Sequence, residues 1–198
     1  WEALSPNGQM AAIAPVMSRL RQFLLRPGLR AVLDQPQPRF QLGELFARPR
    51  IVILTLNKGL LGAQSASLLG SLVVGQLWQL TLARARIPQA QRTPVSVFVD
   101  EAQNFLHLDS DLGEALEQSR SLRVAWHLAH QYRDQMPSKL LASIDNNARN
   151  KIVFSLGTAD AIATARNSSL APEDFSGLHQ YEIYTSLMNR GHQTGWFS

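Results

Sequence analysis

Residues 94–103 read PVSVFVDEAQ, an apolar run from Val95 to Val99 that ends in two adjacent carboxylates, Asp100 and Glu101. The β-branched and aromatic residues predict a strand, Val95–Val99. A buried strand does not normally run into unpaired charge, because taking a carboxylate out of water is costly. Two acids at its end therefore put that end on the rim of a site, and the carboxyl ends of parallel strands are where α/β sheets bind ligands. The plainer alternative is an acidic helix N-cap, where the same carboxylates would offset the helix dipole.

Working outward, the same rhythm repeats. Downstream, the pattern predicts a helix over Asp111–Leu122, a strand over Val124–Ala129 and a helix over Ser138–Ala148. A strand over Lys151–Leu156 and a helix over Asp160–Arg166 follow, and Tyr181–Leu187 and Thr194–Phe197 form a closing hairpin through Asn189-Arg190-Gly191. Upstream, Met10, Ile13, Met17, Leu20 and Leu24 recur at helical spacing within Gly8–Leu33, interrupted at Pro27-Gly28. Gln35-Pro36-Gln37-Pro38 is a loop, and Ile51–Leu56, apolar at every position but Thr55, reads as a central strand of a parallel sheet. After Asn57-Lys58-Gly59 a helix is predicted over Ser65–Arg86, with Gly59-Leu60-Leu61-Gly62 as a turn before it. Alternating elements of these lengths give an α/β fold: a mostly parallel sheet flanked by helices, with a C-terminal antiparallel hairpin. Residues 1–50 form a helical segment leading into a core at 51–198.

Composition narrows the chemistry. The 198 residues are 45% hydrophobic and 17% charged, which is globular, and contain no cysteine. Thiolate catalysis, disulfide scaffolds and Cys-ligated metals are excluded. The five histidines show no zinc-helix spacing, and Trp78 and Trp126 are expected in the core, with Trp196 against the hairpin. Lys+Arg number 19 against 15 Asp+Glu, a net +4 that is unevenly spread. Before Asp100 there are 11 basic and 3 acidic residues; from Asp100 onward there are 8 and 12. The basic half suits a phosphate backbone, although 16 of the 19 cations are Arg and a solvated Arg-rich surface would look the same. From Gly59 to Ala83 no residue is charged, long enough to span a bilayer. Its glutamines, serines and threonine fit a helix buried between a sheet and another subunit better. The chain opens on Trp1 with no basic-then-apolar leader and is expected to be a segment of a longer polypeptide.

A strand ending in Asp-Glu is the Walker B arrangement of nucleoside triphosphatases. In that role Asp100 holds Mg²⁺ through its water shell, and Glu101 orients or polarises the water that attacks the γ-phosphate. Thirty residues on, the next strand ends at His130-Gln131, where a neutral amide can sense the γ-phosphate or the attacking water. Arg120, just before that strand, is placed to act as an arginine finger on a neighbouring subunit. Taken singly, Gln131 is an ordinary turn residue and Arg120 a solvated helix-end cation.

Together VSVFVDEAQNF, RSLRVAWHLAHQYRDQM and NNARNKIVFSLGTADA resemble the RecA-like motors of the HerA–FtsK superfamily, above all type IV secretion coupling proteins and related conjugative DNA-transfer ATPases. The matching positions are Asp100-Glu101, Arg120, Gln131, Asn146-Asn147 and Asp160-Ala161. The resemblance implies that 51–198 is the C-terminal part of a RecA-like P-loop ATPase domain using ATP and Mg²⁺. It further implies DNA as partner, a homo-oligomeric ring expected to be hexameric, and secretion-system membrane components nearby. The place would be the cytoplasm or the cytoplasmic face of the inner membrane. One departure is large: a Walker A loop needs Gly-Lys-Ser/Thr, and none of Lys58, Lys139 and Lys151 stands in that setting. The segment alone is therefore expected to bind nucleotide poorly and hydrolyse almost none. A DEAQ-type helicase fragment is disfavoured by Ala129-His130-Gln131 on the next strand, and a non-catalytic interaction module with a degenerate motor fold is the remaining alternative.

Overall fold

A computed structural model describes residues 5–106 and 112–198, so His107 and the predicted helix start at Asp111 lie outside the described residues. The chain divides into two compact units, residues 1–95 and 96–198.

In the first unit, α1 (Pro6–Leu24) and α2 (Pro27–Leu33) are the longer and the shorter helix that the interruption at Pro27-Gly28 separates. The Ser5 hydroxyl accepts the Gly8 N–H at 3.2 Å and caps α1, and Pro27 opens α2 where a missing N–H costs nothing. Short helices α3 (Glu44–Ala47) and α4 (Lys58–Leu61) lead to the long α5 (Ala63–Ala83), which tightens into a 3₁₀ turn at Arg84–Arg86. The expected turn at Gly59–Gly62 is thus mostly a helical turn. It forms because the Asn57 side chain accepts from the N–H groups of Gly59 and Leu60. Gly62, at φ 78°, then redirects the chain into α5; a Cβ there would strain the backbone and strike the Arg26 guanidinium, which donates to the Leu61 carbonyl at 2.9 Å. One side of α5 buries Ala66, Val74, Leu77 and Trp78, with Leu29 of α2 also in this unit's core. Residues Ala63–Arg86 are long and apolar enough to cross a membrane by length and composition. Arg84 is buried, its guanidinium over the Phe46 ring and bonded to the Thr93 carbonyl, while its own carbonyl accepts from Arg92.

The strand expected over Ile51–Leu56 is absent. Its backbone pairs with no other strand among the described residues, and Ile51 and Ile53 are 92% and 85% exposed. A strand exists only where a second strand completes its ladder, so β-branched apolar sequence alone does not make one.

The second unit carries six strands in three small sheets among the described residues. Strands β1 (Val95–Val99) and β2 (Val124–Leu128) run parallel side by side, close to their predicted bounds. Helix α6 (Leu112–Ser119) precedes β2 and packs on α7 (Ser138–Asn147). The mostly parallel sheet of the sequence reading is corrected here, because β3 (Lys151–Val153) pairs antiparallel with β4 (Tyr184–Ser186). The predicted strand through Leu156 is cut short, since the Leu156 N–H goes to the Phe175 carbonyl instead of a neighbouring strand. Between them lie α8 (Thr158–Ala165) and α9 (Pro172–Ser176), packed on each other. The hairpin is formed as β5 (Met188–Asn189) and β6 (His192–Gln193), turning through Arg190 and Gly191, both at positive φ. Thr185 and Phe197 exchange both backbone hydrogen bonds and close its outer end.

Phe175 is fully buried, edge-on to both Tyr184 and Trp196 at 5.7 and 5.4 Å, so Trp196 does seal the hairpin against the core. Trp78 is buried as expected, while Trp126 is only half-buried. Phe175→Ala should destabilise the protein by about 3–5 kcal/mol, read as a lower urea midpoint in fluorescence unfolding, and Phe175→Leu should cost less.

Candidate functional site

Two backbone hydrogen bonds continue the β1–β2 ladder past the ends of both strands: the Ala129 N–H donates to the Val99 carbonyl at 3.0 Å, and the Ala102 N–H to the Ala129 carbonyl at 2.8 Å. Residue 129 is thereby clasped between 99 and 102, which brings residues 100–101 alongside the chain leaving β2. Glu101 sits in the left-handed region at φ 51°, ψ 45°. For a residue with a Cβ this costs about 1–2 kcal/mol, and such backbone is concentrated at functional sites. The Asp100 carboxylate accepts the Glu101 N–H at 2.9 Å and supports that turn, which continues as a 3₁₀ turn over Ala102–Asn104.

The turn delivers the Glu101 side chain between two amides. Gln131 donates its side-chain N–H to one carboxylate oxygen and Gln103 donates to the other. The structure thus joins Glu101 to Gln131, thirty residues apart in sequence. Gln103 is the partner to which sequence reasoning gave no role; its signal was its place as the last residue of Asp100-Glu101-Ala102-Gln103, the DEAQ match. Gln103 is 5% exposed, and its carbonyl oxygen is buried without a hydrogen-bond partner among the described residues. An unpaired buried acceptor of this kind costs about 1–3 kcal/mol.

Asp100 is exposed, and beyond the Glu101 N–H its carboxylate has no partner among the described residues. No three His, Asp or Glu side chains converge there, among the described residues, to cage a metal. Such a donor set suits a hydrated Mg²⁺, which keeps most of its waters and needs one or two carboxylates, and does not suit a caged transition metal. Arg120 lies exposed after α6, with no side-chain hydrogen bond or ion pair among the described residues. It is not brought to Asp100, Glu101 or Gln131 within this chain.

The chain carrying Gln131 is anchored just beyond it. Arg133 makes a two-pronged bond to Asp145 of α7, at 3.1 and 2.5 Å, and its backbone N–H donates to Asp160 at 3.4 Å. The bond to the Asp145 carboxylate holds the Arg133 guanidinium even more firmly in its charged form. Lys151 also reaches the Asp145 carbonyl, at 3.0 Å. Of the positions that carried the sequence resemblance, Asp160 thus joins the anchor, Ala161 is buried in α8, and Asn147 donates to Ser143 and Glu117. His130, between the strand and the anchor, has its Nδ1 buried without a partner among the described residues. Burial first, and the Arg133 charge second, push its pKa below the usual 6.5, against the smaller opposing pull of Asp160 and Asp145.

No family model matches the chain, and no curated protein does. Two solved structures are similar, both of the plasmid coupling protein TrwB. The complex with a non-hydrolysable ATP analogue has a TM-score of 0.63 at 15% identity, over 96% of this chain and 49% of TrwB's. The complex with a non-hydrolysable GTP analogue has a TM-score of 0.50 at 14% identity, over 62% of this chain and 35% of TrwB's. The chain thus spans about half the length of TrwB or less, and at this identity the likeness is one of fold.

A histidine with a depressed folded-state pKa is held neutral, so the unfolded chain takes up its proton at higher pH than the native one. The His130 contribution is present above about pH 6.5 and lost as pH falls through that value toward the folded pKa. Urea midpoints should drop between pH 7.5 and 5.5, and His130→Gln should show a smaller drop over the same interval.

Proposed function

We propose that these residues are part of an ATP-driven motor that moves DNA in a type IV secretion or conjugation-like system. The observation that carries this reading is the Glu101–Gln131 hydrogen bond at the adjoining ends of two parallel strands. A carboxylate so placed can take the proton of an attacking water, and a neutral amide touching it can register whether a γ-phosphate is present. The fold likeness to TrwB, a plasmid coupling protein solved with ATP and GTP analogues, supports both the nucleotide and the transfer role.

In this reading Asp100 holds Mg²⁺ through water; when bound, the ion neutralises charge on the phosphates. The phosphate cradle lies in polypeptide outside these 198 residues, which contain no Gly-Lys-Ser/Thr. Arg120, without a partner among the described residues, serves the site of the next subunit in a homo-oligomeric, hexameric ring. The basic half before Asp100 faces DNA phosphates, and the motor works in the cytoplasm or at the cytoplasmic face of the inner membrane beside secretion-system components. The missing lysine loop favours one rival, an interaction module that keeps the fold without hydrolysis.

The full-length protein separates the two. Glu101→Gln should keep ATP affinity within about twofold while turnover falls at least about 100-fold, measured by filter binding and phosphate release. Wild-type turnover in that variant removes Glu101 from its role, and a wild-type protein without ATPase activity supports the interaction module. Arg120→Ala should lose about 1,000-fold in the assembled form. Mixing Arg120→Ala with Glu101→Gln subunits should restore part of the rate, because the first keeps its carboxylate and borrows a guanidinium from the second. Failure to restore any rate argues against action between subunits.

A further inference from the structure

We propose that Gln103 is the positioning residue of Glu101: a buried amide that clamps one carboxylate oxygen so that the side chain faces the attacking water. The inference rests on the reading of Glu101 as the residue that activates that water. An ionised carboxylate only accepts, so both of its amide neighbours must present their N–H groups to it. Gln131 does so from an exposed position after β2 and is free to exchange its partner for a phosphate or water. Gln103 does so from a side chain that is almost wholly buried. The two amides therefore divide the work, one holding and one responding.

Three further observations favour a positioning role over packing. First, the Gln103 carbonyl oxygen is buried and unpartnered among the described residues, so an apolar side chain of the same length would suit the core better. Second, Glu101 forms no ion pair among the described residues. A cation in place of Gln103 would also fix the carboxylate, but would compete for the charge that a proton acceptor needs; a neutral amide fixes it without doing so. Third, the turn that bears Gln103 is itself tied down, through Ala102 N–H to Ala129 and Asn104 N–H to the Glu101 carbonyl. The clamp is thus held at a set distance from the strand ends.

The test is Gln103→Met in the full-length protein, with Gln103→Leu as a second variant. Melting temperature should stay level or rise, nucleotide affinity and KM should stay within about twofold, and kcat should fall about 10–100-fold, the range that misplacement of a reacting group produces. A kcat within twofold of wild type overturns the proposal. So does a loss of kcat that is matched by a loss of melting temperature in both variants, because that is packing. Glu101→Gln measured alongside separates the two layers. If it is inactive while Gln103→Met is fully active, only the clamp fails; if it turns over normally, the reading of Glu101 fails and the clamp with it.

Discussion

The geometry of the site depends on a single backbone clasp. Ala129 donates to Val99 and accepts from Ala102, so the parallel ladder of β1 and β2 extends one step beyond the strands themselves. Three constraints follow from that step. The two residues between 99 and 102 must turn within the span of one pairing, which the left-handed backbone of Glu101 accomplishes. The chain after β2 must leave beside that turn, which brings Gln131 to the carboxylate. The bend must also be braced, and the Asp100 carboxylate does so by taking the Glu101 N–H. Strain at Glu101 is offset by these bonds rather than by burial, since Asp100 and Gln131 are exposed.

The other half of the constraint lies just past Gln131. Arg133, gripping Asp145 with both ends of its guanidinium and Asp160 with its backbone, ties the strand exit to α7 and α8. The pair is about four-fifths shielded from water, with 19% and 22% of its side-chain surfaces exposed. Removing either partner would strand a charge in a poorly solvated place, whereas an exposed pair such as Arg30–Asp34 holds little. Gln131 is therefore an exposed side chain, held to Glu101, on a backbone anchored two residues further on.

Apolar surface left uncovered gives the molecule its second character. Phe98 stacks on His127 at 4.2 Å, yet Phe98 is largely exposed, as are Ile152 and Phe154 on β3 and the residue after it. In the first unit Met10, Val16 and Leu24 of α1 and the run Ile51–Leu54 are exposed as well. Exposed apolar surface of this kind marks places where a soluble fold can meet other surfaces.

Much of this was legible in the amino-acid order. Periodicity located the longer helices α1, α2, α5, α6, α7 and α8 to within a few residues but not the short α3, α4 and α9. Pro27-Gly28 marked the break between α1 and α2, and VSVFV marked β1 with both acids at its end. These are local matters, decided by side-chain spacing, by proline's missing N–H and by β-branching. Pairing is not local. The run Ile51–Leu56 has strand composition like that of β1 but no partner strand among the described residues, and β3 bonds a returning β4 rather than a parallel neighbour, outcomes that depend on which edges meet. Gln103 and Gln131 illustrate the same division at the site: the sequence singled out Gln131 and gave Gln103 no role, and only the tertiary structure around the clasp at Ala129 shows both turned toward one carboxylate. Which residues could do chemistry was written in their types and order; which of them touch was settled by backbone hydrogen bonds between distant segments, because a hydrogen bond requires two groups within about 3 Å and no local pattern specifies that.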